Sequence, residues 1–207
     1  MTSTRGELKA RAKEAIKGNV GIYFVCLLIV AVISGVLAVI PVVGSVASLF
    51  ITGPFALGMV YVMYAILRGE KVDIGGMLFA GFQRFWDAVA LNLLQSIFIA
   101  LWSLLFVIPG IIKGLSYSMA FYILADNPEM SGKDALDASK QLMNGHKAEL
   151  FMLQLSFIPW YLLTVVTCGI AGIYVVPYVE ATTVNFYRDI AGQQYASPVQ
   201  TYGTYQM

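Results

Sequence analysis

A chain of 207 residues with 58% apolar and only 12% charged residues, at a formal net charge of +1, lies far from the soluble norm of about 25% charged. That excludes a water-soluble globular domain and places the chain in a bilayer. With a single histidine, His146, two cysteines, and no CxxC, HExxH, Walker-A or GxGxxG pattern, metal clusters and histidine-based triads are excluded too. No catalytic, cofactor or metal residue is assigned, and nothing points to nucleic acid.

The first predicted element covers 4–18. Leu8, Ala12, Ala15 and Ile16 fall on one face at helical spacing, and the other face carries Arg5, Lys9, Arg11, Lys13 and Lys17 against Glu7 and Glu14. Thr4 and Glu7 fit a capping box, and Gly18 stands where a helix end favours positive φ. Such a helix belongs in the cytoplasmic interface. Residues 20–40 then make a first span, since about 20 apolar residues cross a hydrocarbon core. A short turn at 41–44 leads into a second span at 45–67. Thr52-Gly53-Pro54 predicts a kink there, because proline removes a backbone donor. Such a kink suits a broken helix lining a cavity or, more simply, helix packing around Gly53 and Gly58.

Arg68, Lys71 and Arg84 mark 68–87 as cytoplasmic by the positive-inside rule. Within it Asp73 is placed to cap a short helix with apolar Ile74, Met77 and Leu78, ending near Gly81. The third span is 88–108, with Asn92, Gln95, Ser96 and Ser103 on a stripe expected to face other helices. A hairpin turn at Pro109-Gly110 leads to a fourth span at 111–125. Fifteen residues reach only about 22 Å, but a segment that failed to cross would leave Lys133, Lys140 and Lys147 outside. Tyr117 and Tyr122 are expected at headgroup level.

Asn127-Pro128 ends that span. Ser131 and Asp134 then open another surface helix, with Ala135, Leu142 and Met143 on one face and Lys133, Asp137, Lys140 and Gln141 on the other, stopping at Gly145. Capping and surface solvation account for Ser139 and His146 without catalysis. The fifth span is 150–167, kinked at Pro159. An uncharged turn at 168–172 leads into a sixth span, 173–187, broken at Pro177 and holding Glu180. Cys26 and Cys168 fall at opposite faces, so they cannot pair. The tail from 191 to 207 is polar, without apolar period, and is expected to be disordered.

The resulting fold class is all-α: a polytopic membrane protein of six transmembrane helices in three hairpins, each preceded by a short amphipathic interfacial helix. Gly18, Gly81 and Gly145, 63 and 64 residues apart, suggest a repeat over 4–67, 68–126 and 127–188 within one membrane domain, 1–190. Each unit runs in and back out, so the repeat axis would lie along the membrane normal.

The segments LWSLLFVIPGIIKGLSYSMAFYILADNPEMS and SKQLMNGHKAELFMLQLSF, with GPFALG, LRGEKV and LFAGF before them and VPYVEATTVNFY after, resemble the bacterial integral-membrane family catalogued as domain of unknown function 975. The resemblance covers most of 8–188. It implies a multi-pass fold and supplies no reaction and no site residues.

Two function classes follow. One is a non-enzymatic protein of the cell membrane, both termini cytoplasmic, that interacts with membrane lipids or another membrane protein. The alternative is a small-solute or ion transporter using an intramembrane carboxylate. Glu180 and Lys113, the charges placed inside spans, are its candidate residues, because a charge at mid-membrane is costly and is retained with a partner or a role. Lys113 can snorkel outward. Tyr117, Tyr178 and Thr183 are the polar neighbours expected near Glu180.

Overall fold

The computed structural model describes residues 4–38, 43–105 and 107–194, and every element among them is helical. The expected turn at 41–44 falls largely outside the described residues, as does the tail from 195 onward. In chain order the helices are α1 (Arg5–Ala15), α2 (Val20–Ala38), α3 (Val43–Arg68), α4 (Ile74–Ala80), α5 (Phe85–Leu105), α6 (Val107–Tyr117), α7 (Ala120–Asp126), α8 (Gly132–Leu142), α9 (Lys147–Leu155), α10 (Ile158–Val166) and α11 (Gly172–Gln194). A 3-10 turn at Gly81–Arg84 joins α4 to α5.

Among the described residues, four stretches are long and apolar enough to cross a membrane: Phe50–Arg68, Ile74–Leu104, Ile108–Asp126 and Lys147–Val166. Taken with α1, α2 makes a fifth, bent by 86° between the two helices. The sixth expected span is α11, which carries Glu180, Arg188 and Asp189 and is not among these.

Burial separates two layers. Of the span windows, 61% of Phe50–Arg68 and 56% of Ile108–Asp126 are buried, against 17% of Ile74–Leu104 and of Lys147–Val166. The first two therefore form an inner layer, joined by α11, which buries Val175, Ala181, Val184 and Tyr187. The outer helices expose Val25, Leu28 and Val32 on α2, Ile97 and Leu101 on α5, and Leu162 and Val165 on α10. A surface so apolar requires a partner or lipid.

Several expected boundaries move. The span expected over 111–125 is longer than its sequence suggested: Ile108–Asp126, made by α6 and α7 together, has 19 residues, about 28 Å at 1.5 Å each. Pro109-Gly110 is not the hairpin turn. Both residues lie inside α6, because proline is tolerated in the first turn of a helix, where its missing N–H has no intrahelical partner. The prolines at 54 and 177 likewise fall inside continuous helices, α3 and α11, so neither span is broken there. Pro159 does coincide with a break: α9 stops at Leu155 and α10 starts at Ile158. The last helix runs to Gln194, its final turn entering the segment assigned to the tail.

The three surface segments differ in how they end. Gly18 and Gly145 have φ of 91° and 90° and stop their helices as expected. Gly81 has φ −59° and stays right-handed. Its role is close approach: a Cβ there would stand 2.0 Å from the Pro54 carbonyl oxygen, and one on Gly58 2.1 Å from that of Leu78. Glycine lets α4 fold back along α3, and the chain continues into α5.

Candidate functional site

The inner helices meet in a polar seam. From α11, Glu180 Oε1 accepts a hydrogen bond from the Tyr122 hydroxyl of α7 at 2.7 Å. The Tyr122 ring stacks on Tyr187 of α11, centroids 5.5 Å apart. Tyr187 in turn donates to Asp126 Oδ2 at 2.7 Å, and Tyr64 of α3 reaches the same oxygen at 3.4 Å. Three tyrosines and two carboxyl groups thus tie together α3, α7 and α11, each hydroxyl placed by a helix whose apolar neighbours are buried.

Two cations border this seam. The Arg188 guanidinium lies 5.0 Å from the Tyr64 ring centroid and that of Arg68 5.9 Å. Beside Tyr64, the ends of α3 and α4 enclose a cavity of about 440 Å³ whose lining includes Tyr61, Tyr64, Arg68, Glu70 and Asp73. A second cavity of about 510 Å³ lies between α1, α9 and α11, bordered by Arg5, Leu8, Glu149, Met152 and Asp189.

The two charges singled out within the spans are not brought together. Lys113 places its ammonium 4.9 Å from the Trp102 ring centroid, a cation–π contact, whereas Glu180 pairs with Tyr122. That partner is not one of the three expected. Tyr117 and Tyr122 were expected at headgroup level, but both are buried: the Tyr122 hydroxyl is taken up by Glu180 and the Tyr117 ring packs against Phe98 at 6.0 Å. Of the polar stripe on α5, Asn92 and Gln95 are partly buried while Ser96 and Ser103 are exposed.

Ser139 is fully buried rather than solvated. Its hydroxyl donates to the Ser116 carbonyl at 2.9 Å and accepts from the Met119 amide at 3.2 Å, bridging the break between α6 and α7. His146 pairs locally with Glu149 at 3.4 Å, so the two residues do not form a nucleophile and base. Lys9 of α1 makes a similar bridge, donating to the Ser156 carbonyl at 3.1 Å where α9 gives way to α10, over the Phe157 ring at 4.1 Å. Burial lowers its pKa, and Arg5 adds to the effect. Arg84, which drew notice only as a loop charge, donates to the carbonyls of Leu124 at 2.6 Å, Asn127 at 2.9 Å and Met130. It thereby satisfies the last turn of α7, as cations at helix C-termini do.

A family model described as "Protein of unknown function (DUF975)" matches residues 1–113 and 103–194. The chain belongs to this family. No curated protein and no solved structure matches it. For this DUF975 protein, then, any function must be argued from its own residues. They offer buried hydroxyls and carboxyls that can hold charge or a proton, and two cavities that mix apolar walls with charged rims.

Proposed function

We propose that this DUF975 protein is a six-span protein of the cell membrane, both termini cytoplasmic, that works without enzymatic chemistry by binding membrane lipids or another membrane protein. The observation that carries the reading is the position of two cavities among the described residues. Both lie among the surface helices and the ends of spans, both join apolar side chains to charged ones, and neither is bordered by Glu180. Amphiphiles and membrane partners fit that combination.

Six crossings are supported by which helix ends meet. Arg11 of α1 pairs with Asp189 near the end of α11 at 2.9 Å, so the first and last helices share one side and the crossings between them are even in number. Asp126, at the end of α7, is bonded by Tyr64 and Tyr187 near the ends of α3 and α11, so all three hairpins return to that side. The cations around these ends make it the cytoplasmic one. Support for a threefold arrangement of the repeats within 1–190 comes from the pairings. Each returning span packs on the next outgoing one, α3 on α5, α6 on α9 and α11 on α2, and each surface helix packs on the preceding returning span, α4 on α3, α8 on α7 and α1 on α11.

The test is extraction in native lipid without detergent, followed by an inventory of bound lipids and proteins. A lipid class or a protein at fixed stoichiometry is expected; a protein recovered with only bulk membrane composition around it would sink the reading. A transporter coupled through Glu180 is the second reading, favoured by the placement of that carboxyl group against Tyr122 inside the bundle.

A further inference from the structure

We propose that the cavity between α3 and α4 is a binding site for the headgroup of a zwitterionic aminophospholipid, its phosphate held by Arg68 and its ammonium by Glu70 and Asp73. The inference rests on the lipid-binding reading above and names the lipid and the place. Four features of the site carry it.

First, the cavity has about 440 Å³, in the range of small-molecule sites, and Ala65, Met77 and Ala80 give it apolar walls where an acyl chain can begin. Second, its rim carries both signs of charge. Arg68 and Glu70 are 3.9 Å apart, at the limit of an ion pair, and both are partly exposed, so each has capacity left for a ligand. A purely anionic headgroup would meet two carboxylates; a lone cation would meet a guanidinium. A phosphate joined to an ammonium satisfies all three.

Third, Asp73 stands at the N-cap of α4 yet makes no capping hydrogen bond. The usual partner of an N-cap carboxylate is a backbone amide of the first turn. Here the carboxylate instead lies over Gly76, where a Cβ would come within 2.3 Å of Oδ2. It therefore lines the cavity with its acceptor capacity unused. Fourth, Arg188, which has no carboxylate within ion-pair distance among the described residues, sits against the Tyr64 ring that forms part of the wall, adding positive potential on the phosphate side. Carboxylate acceptors favour a primary ammonium, which donates three hydrogen bonds, over a trimethylated one, which donates none.

The experiment uses the full chain in nanodiscs of phosphatidylcholine doped with phosphatidylethanolamine or phosphatidylglycerol, with retained lipid counted by native mass spectrometry after stepwise delipidation. Wild type is expected to retain phosphatidylethanolamine about tenfold over either of the others, a difference of about 1.4 kcal/mol. Asp73→Asn should abolish the preference over phosphatidylcholine, and Arg68→Gln should weaken retention of both. Gly76→Ala, which displaces the Asp73 carboxylate without removing its charge, should act like Asp73→Asn and guards against a misfolded variant. Retention of phosphatidylethanolamine unchanged in all three variants would overturn the site while leaving lipid binding standing. Retention of no lipid at all would overturn both. Displacement by soluble glycerophosphoethanolamine at micromolar concentration would overturn the assignment to a membrane lipid.

Discussion

Ser139 and Glu180 illustrate how buried polar groups are settled in this bundle, and each makes a prediction. The Ser139 hydroxyl serves a donor and an acceptor at the gap between α6 and α7. Removing it in Ser139→Ala leaves a buried amide and a buried carbonyl unmatched, at a cost of about 1–3 kcal/mol. Thermal unfolding in detergent should show a lower midpoint, and an unchanged midpoint would mean that water or backbone movement fills the gap. Glu180→Gln keeps an acceptor for Tyr122, so its stability should match wild type, while Glu180→Leu strands the Tyr122 hydroxyl and should lower the midpoint. A growth or transport phenotype in the Gln variant, at normal stability, would support coupling through this carboxyl group. Wild-type behaviour of both variants in stability, expression and phenotype would remove Glu180 from either role. That Glu180 needed a partner was legible in the sequence; that the partner would be Tyr122 was not. The pairing joins residues 58 apart, and a single sequence carries no signal for such a contact. Tyr64 and Tyr122 do share a position, four residues before the charged ends Arg68 and Asp126, and that register hints at Tyr64 as a member of the seam.

Among the elements, α1 and α8 were legible from apolar spacing and capping residues. The Thr4–Glu7 box is present on α1, and Ser131 caps α8. Less legible was what these helices do to their neighbours. Lys9 and Ser139 each reach into a break of another helix, so the surface helices act as splints as well as boundaries. The extent of α4 was legible, since it runs from Ile74 to Ala80 with Gly81 as its C-cap, but the reason for that glycine was not. Gly81 stands in sequence where a helix stop belongs, and only the closeness of Pro54 in space reveals that it is there for clearance. Gly81→Ala should therefore destabilise by about 1–3 kcal/mol through forced separation of α3 and α4, whereas a stop glycine replaced by alanine would give a strained turn and leave that packing intact. A cysteine pair placed across the α3–α4 contact and cross-linked with a short reagent reads the difference. Reduced cross-linking in the Gly81→Ala background is expected, and unaltered cross-linking would contradict the clearance role.

At the scale of the whole molecule, composition pointed to helices apolar enough to cross a membrane, and charge-free stretches located most of them. The break expected at Pro177 is absent, since that residue lies inside the continuous helix α11; Pro54 likewise lies within α3. The ring of pairings, closed by Arg11 and Asp189, was invisible in sequence since it joins the two ends of the chain. In the proposed topology three hairpins start and finish on the cytoplasmic side, making six crossings in all. Reporter fusions placed after Val43, Lys71, Lys133 and Gly169 test it most directly. The account predicts outside signals after Val43 and Gly169 and inside signals after Lys71 and Lys133; an outside signal after Lys133 would contradict it.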